Sequence, residues 1–194
     1  DKLHCLAWAE TCKEWNIPFS EDINDMLRGV SRMESVDIIL KYGNRDLSGE
    51  EKASFADAKN KRYVDLLSTL TRKDLLPNIP YVIRELRNRK IKLAVGSSSK
   101  NATAILNIIG ISDWFDAIVD GNCIHNSKPD PEVFILAAEA LNVHPRNCIV
   151  VEDAESGIIA AKEAGCLAAA VGAAKGFGRA DYELDRIEEL LGVV

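Results

Sequence analysis

Three short stretches carry side chains suited to a charged, oxygen-rich ligand. Val95-Gly96-Ser97-Ser98-Ser99-Lys100-Asn101 closes an apolar run with three hydroxyls. Ser127-Lys128-Pro129-Asp130-Pro131 holds a lysine in a loop stiffened by two prolines. Cys148-Ile149-Val150-Val151-Glu152-Asp153 runs a mostly β-branched segment straight into two acids. Hydroxyls and backbone N–H groups ahead of a helix make a cradle for an anion. The adjacent carboxylates repel each other and call for a cation between them. Mg²⁺ takes oxygen ligands and tolerates bound phosphate. Each stretch alone has an ordinary explanation: a serine-rich turn, a solvated lysine, acids at the positive end of a helix. Together, at the ends of successive strands, they describe a phosphoryl site. Ser97 and Lys128 would hold its oxygens, and Glu152 and Asp153 would hold Mg²⁺.

The surrounding pattern says what must position them. From about Leu75, helical spacing alternates with apolar runs. Ile79, Val82, Ile83 and Leu86 share a helix face. Ile91 to Val95 reads as a strand, and Asn101 can cap the helix carrying Ile105 and Ile109, which Gly110 ends. Phe115 to Val119 reads as a short strand, and Pro131 opens a helix to Leu141. The strand at 148–151 leads to a helix ended by Gly165, then a strand from Leu167 to Val171. Residues 172–181 read as loop, and Glu183 to Leu191 as a last helix. Strands alternating with helices predict a parallel, doubly wound α/β sheet, which places ligands at the strands' carboxyl ends.

Residues 1 to about 70 read as helices only. Leu3 to Trp15 is amphipathic and stops before Pro18. Ser20 with Glu21 and Asp22 predicts a second helix to about Leu27, and Ser31 a third. Ser48 with Glu51 is a capping-box pattern for a fourth, through Phe55, Tyr63 and Leu67.

Composition narrows the function classes. A net charge of −6 argues against sequence-independent nucleic-acid binding. No apolar run approaches the roughly 20 residues of a membrane span, and Asp1-Lys2-Leu3-His4 does not read as a secretion signal. The five cysteines show no C-x-x-C pair, which favours a reduced, cytoplasmic protein and gives no zinc spacing.

V-G-S-S at 95–98, S-K-P-D-P at 127–131 and V-V-E-D-A-E-S-G-I at 150–158 resemble the motifs of the haloacid dehalogenase-like superfamily. The resemblance covers about residues 75–172. It implies a Rossmann-like core over 73–194 and an α-helical cap over 1–72. L-R-G-V-S-R at 27–32, with Ser35, His4, Trp8 and Lys59-Asn60, is most similar to the β-phosphoglucomutase branch. That resemblance implies a monomeric Mg²⁺ enzyme moving phosphoryl between C1 and C6 of glucose through an aspartyl-phosphate and a bisphosphate. Ser97 and Lys128 would grip the transferring phosphate, and His4 would help place the acid/base. Arg32 would bind the distal phosphate, with Trp8, Gly29, Val30, Ser31, Ser35, Lys59 and Asn60 around the sugar. Ser98, Ser99, Lys100 and Asn101 would complete the substrate contacts. The partner implied is a small phosphosugar.

The family's first strand lies between those ending at Ser97 and Glu152 and ends in D-x-D, which supplies the nucleophile and the acid/base. Asp1 is followed by Lys2-Leu3 and has no strand before it. The expectation is that the D-x-D strand lies upstream of residue 1 and that the sequence as written does not turn over. Ala154 also departs from the family's usual serine. A sugar-phosphate phosphatase of the same superfamily fits the core motifs equally, because water or a sugar hydroxyl can each attack an aspartyl-phosphate. A non-catalytic phosphosugar-binding protein is the reading from another class.

Overall fold

The computed structural model describes residues 2–76 and 78–194. They form two compact units, Asp1–Leu70 and Thr71–Val194.

The first unit is helical: α1 Lys2–Glu14, α2 Glu21–Asp25, α3 Arg32–Tyr42 and α4 Gly49–Leu67. Its helix starts follow the local chemistry of the sequence. The Ser20 hydroxyl accepts from the Ile23 N–H at the head of α2. Ser31 with Glu34, and Ser48 with Glu51, form complete capping boxes on α3 and α4. Each satisfies two N–H groups that the first turn leaves without intrahelical acceptors. Helix α2 stops at Asp25, short of the expected Leu27. Gly29, at φ +76°, then makes the turn into α3, a conformation that penalises a Cβ. The core of this unit gathers Trp8, Cys12, Val36, Ile39, Leu40 and Phe55.

The second unit alternates helix and strand: α5 Ile79–Asn88, β1 Ala94–Gly96, α6 Ala102–Ile108, β2 Ala117–Val119, α7 Glu132–Ala140, β3 Ile149–Glu152, α8 Glu155–Glu163, β4 Leu167–Ala170 and β5 Tyr182–Glu183. All pairings are parallel. Gly96 pairs with Val119, and Glu152 with Ala170. The carboxyl ends bearing Ser97, Asp120 and Glu152 are the ends that the α/β rule marks for ligands. The ladders are β1-β2 and β3-β4-β5, and among the described residues no strand joins them. Helices cover both faces, as burial of the sheet demands. Ala168 and Ala170 of β4 pack with Phe134 and Ile158, from α7 and α8. Ala169 points the other way, among Val82, Leu86, Leu184 and Leu190.

Three expectations need correction here. The first strand is Ala94–Gly96 rather than Ile91–Val95. The Asp116 carboxylate accepts from the Leu93 N–H at 2.8 Å, so a side chain replaces ladder backbone just before it. Asn101 stands at the N-cap of α6, but its side chain does not cap the helix. The Ala102 N–H at the head of the helix donates instead to the Ser99 carbonyl at 3.3 Å, and the Ser99 hydroxyl accepts from the Asn101 N–H at 3.2 Å. The expected helix from Glu183 to Leu191 is instead β5 followed by a 3-10 turn, Ile187–Gly192. Asp181 anchors β5: its carboxylate accepts from the Ala168 N–H at 2.7 Å and from Lys162. An exposed two-residue strand has no apolar run to announce it.

Candidate functional site

Two clusters emerge, one in each unit. In the second unit, Lys128 is buried between the two ladders' ends. Its Nζ donates to Glu152 Oε2 at 2.8 Å and to the Gly96 carbonyl at 3.2 Å, and lies 4.7 Å from the Phe134 ring centre. Both side chains of the ion pair are shielded, with 7% and 10% of their area exposed. Lys128 is therefore not the solvated lysine that is the default for this residue type. Its loop is held by Asp130, which accepts from the Glu132 N–H, and by the Glu132 carboxylate, which accepts from the His125 and Asn126 N–H groups.

The serine loop folds back on itself. Ser97 Oγ accepts from the Ser99 N–H at 3.1 Å, and Ser98 Oγ accepts from the Lys128 N–H at 3.4 Å. Thus Ser97, Ser98, Lys128 and Glu152 come together, while Lys100 is exposed to solvent. Asp153 follows Glu152 directly and is also exposed.

Sequence reading missed Asp120, which is 4% exposed. Its carboxylate accepts from Thr103 Oγ1 at 2.6 Å on α6 and from the Asn122 N–H at 2.9 Å. Burial alone would raise its pKa, but these hydrogen bonds together hold it below the usual carboxylate value. The next residue, Gly121, donates its N–H to the Ser99 carbonyl at 3.1 Å. A Cβ on Gly121 would lie 2.4 Å from the Ser98 carbonyl oxygen. The signal was present: an acid at a strand end followed by glycine, as at a tight turn.

Whether these residues suit a metal can be tested on Glu152. A Cβ on Gly157 would fall 2.1 Å from Glu152 Cδ, so the absent side chain is what gives the carboxylate its place. Glu152 and Asp153 supply hard oxygens only. Among the described residues no three His, Cys, Asp or Glu side chains gather into a closed metal cage. Mg²⁺ needs none, since it is commonly held by one or two carboxylates with water and substrate phosphate. Gly157→Ala should therefore displace Glu152, strip Lys128 of its partner and weaken Mg²⁺ binding at least about tenfold. Titration calorimetry with Mg²⁺ checks this, and an unchanged affinity would remove Glu152 from the ligand set.

In the first unit, His4 and Trp8 stand four residues apart on α1, and Lys59 and Tyr63 four apart on α4, so each pair shares a helix face. The faces meet. Lys59 Nζ lies 2.7 Å from His4 Nδ1 and sits 4.8 Å and 4.7 Å from the Trp8 and Tyr63 ring centres. The His4 and Tyr63 rings stack at 3.9 Å. Lys59 is 3% exposed, and its polar partner here is an imidazole rather than a carboxylate. Burial, with the Arg32 charge added, lowers its pKa to about 7. Burial, then the Lys59 and Arg32 charges, lower that of His4 to about 3. At neutral pH His4 is thus an uncharged ring whose Nδ1 can accept from Lys59.

Arg32 opens α3 and is half-buried. Ser35 is buried and donates to the Ser31 carbonyl, while the Ser31 hydroxyl is engaged in its capping box. Val30 and Asn60 are half-buried beside these elements. Asp1 lies outside the described residues.

A strand-end lysine–carboxylate pair beside a serine cradle, on a parallel α/β core with a helical unit, matches one family throughout. The family model for haloacid dehalogenase-like hydrolases matches residues 5–165, and the chain belongs to that family. Among curated proteins it is 41% identical to the β-phosphoglucomutase of Bacillus subtilis, over 97% of this chain and 84% of that protein. It is 29% identical to the fructose-1-phosphate phosphatase YqaB of Escherichia coli, over 85% of each. Among solved structures, the β-phosphoglucomutase of Clostridium difficile superposes with a TM-score of 0.91 at 39% identity, over 97% of this chain and 86% of that one. Among the described residues no helix is long and apolar enough to cross a membrane.

Proposed function

We propose that this protein, in its full-length form, is a Mg²⁺-dependent phosphosugar mutase that interconverts β-glucose 1-phosphate and glucose 6-phosphate through an aspartyl-phosphate. The observation that carries the reading is the buried Lys59 amine near Arg32. Among the described residues its polar partner is an imidazole, so none of them gives the charge compensation that buried ions ordinarily have. A phosphosugar anion would supply it. Similarity to two β-phosphoglucomutases adds support.

In this reading Ser97 and Lys128 hold the oxygens of the transferring phosphoryl group, and Lys128 offsets the charge that builds on them. Glu152 and Asp153 would hold Mg²⁺, which when bound offsets further phosphate charge. Arg32 binds the distal phosphate, where a planar guanidinium can engage two oxygens at once. His4, neutral and fixed by Lys59 and Tyr63, orients the acid/base. The resemblance assigns nucleophile and acid/base to a D-x-D strand seated between β1 and β3. Trp8, Gly29, Val30, Ser31, Ser35, Asn60, Ser98, Ser99, Lys100 and Asn101 remain the proposed contacts to the rest of the substrate.

Hydrolysis is the second reading, favoured by the similarity to sugar-phosphate phosphatases. One assay separates the readings. The full-length protein is given β-glucose 1-phosphate, Mg²⁺ and a trace of glucose 1,6-bisphosphate, and products are followed by phosphorus NMR. Glucose 6-phosphate without matching phosphate release supports the mutase. Stoichiometric inorganic phosphate would make the protein a phosphatase, and saturable binding without either product would make it a phosphosugar-binding protein.

A further inference from the structure

The cysteines Cys148 and Cys166 lie at the end of β3 and β4 opposite the phosphoryl site. The parallel register pairs Ile149 with Leu167, so one residue earlier Cys148 stands directly beside Cys166. The ladder continues to this point, because the Leu167 N–H donates to the Cys148 carbonyl at 3.0 Å. In a parallel pair, directly opposed side chains leave on the same face. Cys166, 3% exposed, belongs to the core cluster against which Cys148 packs. The two thiols are near enough for one to influence the other's titration. Cys148 is half-buried, so a small reagent can reach one sulfur of the pair while the core shields the other.

We propose that Cys148 and Cys166 are a reversible dithiol/disulfide pair, oxidised by a small-molecule disulfide such as glutathione disulfide. The Cys148 thiolate attacks one sulfur of that molecule, forming a mixed disulfide and releasing one glutathione thiolate, which takes up a proton. Cys166, deprotonated in turn, attacks the Cys148 sulfur and releases the second glutathione. The sum is two protein thiols and one glutathione disulfide giving one protein disulfide and two glutathione thiols.

Strand spacing of about 4.8 Å lies within the roughly 4.4–6.8 Å of Cα separation that a disulfide spans. Because Cys148 is only half-buried, the bond would stay open to attack by a reducing thiol, as regulatory disulfides are. Burial pushes the Cys166 thiol up to about 11 and raises Cys148 as well. Both rest as thiols at neutral pH, so the pair stays reduced until the disulfide reagent is abundant.

The test is exposure of the native protein to excess glutathione disulfide, acid quench, alkylation and non-reducing tryptic mapping. The sequence places the two cysteines in separate peptides, 147–162 and 163–175. Those two peptides should appear joined, the intact protein should lose two hydrogens, and dithiothreitol should restore both thiols. Cys166→Ser and Cys166→Ala should each stop at a glutathione adduct on Cys148, with circular dichroism confirming that at least one of them is folded. A stable glutathione adduct in the unmutated protein, a join between any other pair, or two thiols still free after prolonged exposure would overturn the proposal.

Discussion

Lys128→Met is expected to abolish phosphoryl transfer and to destabilise the α/β unit by about 3–5 kcal/mol. Removing one partner of a shielded pair strands the other, and Glu152 would be left as a nearly buried carboxylate with no counter-charge. The Gly96 carbonyl would lose its donor as well. Removing both charges costs far less than removing one. The double variant Lys128→Met with Glu152→Met should therefore recover most of the lost stability while recovering no activity. Urea midpoints measure the first quantity and the phosphorus NMR assay the second. A single variant as stable as its parent would sink the account of Lys128 as a shielded, paired ammonium.

The second large effect concerns Lys59, and it has a pH signature. In the unfolded chain a lysine titrates near 10.4; in the fold Lys59 titrates at about 7. Between these values the unfolded chain binds a proton that the folded chain does not, so stability rises with pH across that window. Below about pH 7 both states carry the proton, and the fold bears the full cost of burying the charge, on the order of a few kcal/mol. Lys59→Met keeps the bulk and removes the charge. It should be more stable than its parent near pH 6, less about 1 kcal/mol for the hydrogen bond lost at His4. The advantage should shrink steadily towards pH 10. Under the mutase reading the same variant loses phosphosugar binding. Urea midpoints of both proteins across this range decide the matter, and parallel curves would show that Lys59 carries no such cost. Among the described residues, the groups facing it are His4, Arg32, Trp8 and Tyr63, none of which carries a negative charge.

Features fixed by local chemistry were legible in the residues. Ser20, Ser31 and Ser48 announce their helices because a cap is a contact three residues long. Glu152 and Ser97 announce strand ends because an apolar run stops there. The partnership of His4 with Lys59 spans 55 positions, and the family resemblance groups the two residues without giving their contact. Tyr182-Glu183 was illegible because its strand identity comes from β4 and from Asp181, not from its own side chains. The ion pair of Lys128 with Glu152 was likewise beyond sequence reading. The sequence assigns each residue to a ligand, and the structure pairs them with each other.

Asp120 reaches furthest beyond its own contacts. Its carboxylate ties Thr103 of α6 to the turn at Asn122, and Gly121 presses its backbone against Ser98 and Ser99. The loop at 97–101 is thereby held from beneath by Asp120 and Gly121. Ordering a backbone residue costs about 1–2 kcal/mol of conformational entropy. Here that loss falls on folding, and under the mutase reading a phosphate would meet a loop already ordered. Under that reading the affinity the loop offers would be set as much by Asp120 below it as by the serines that line it.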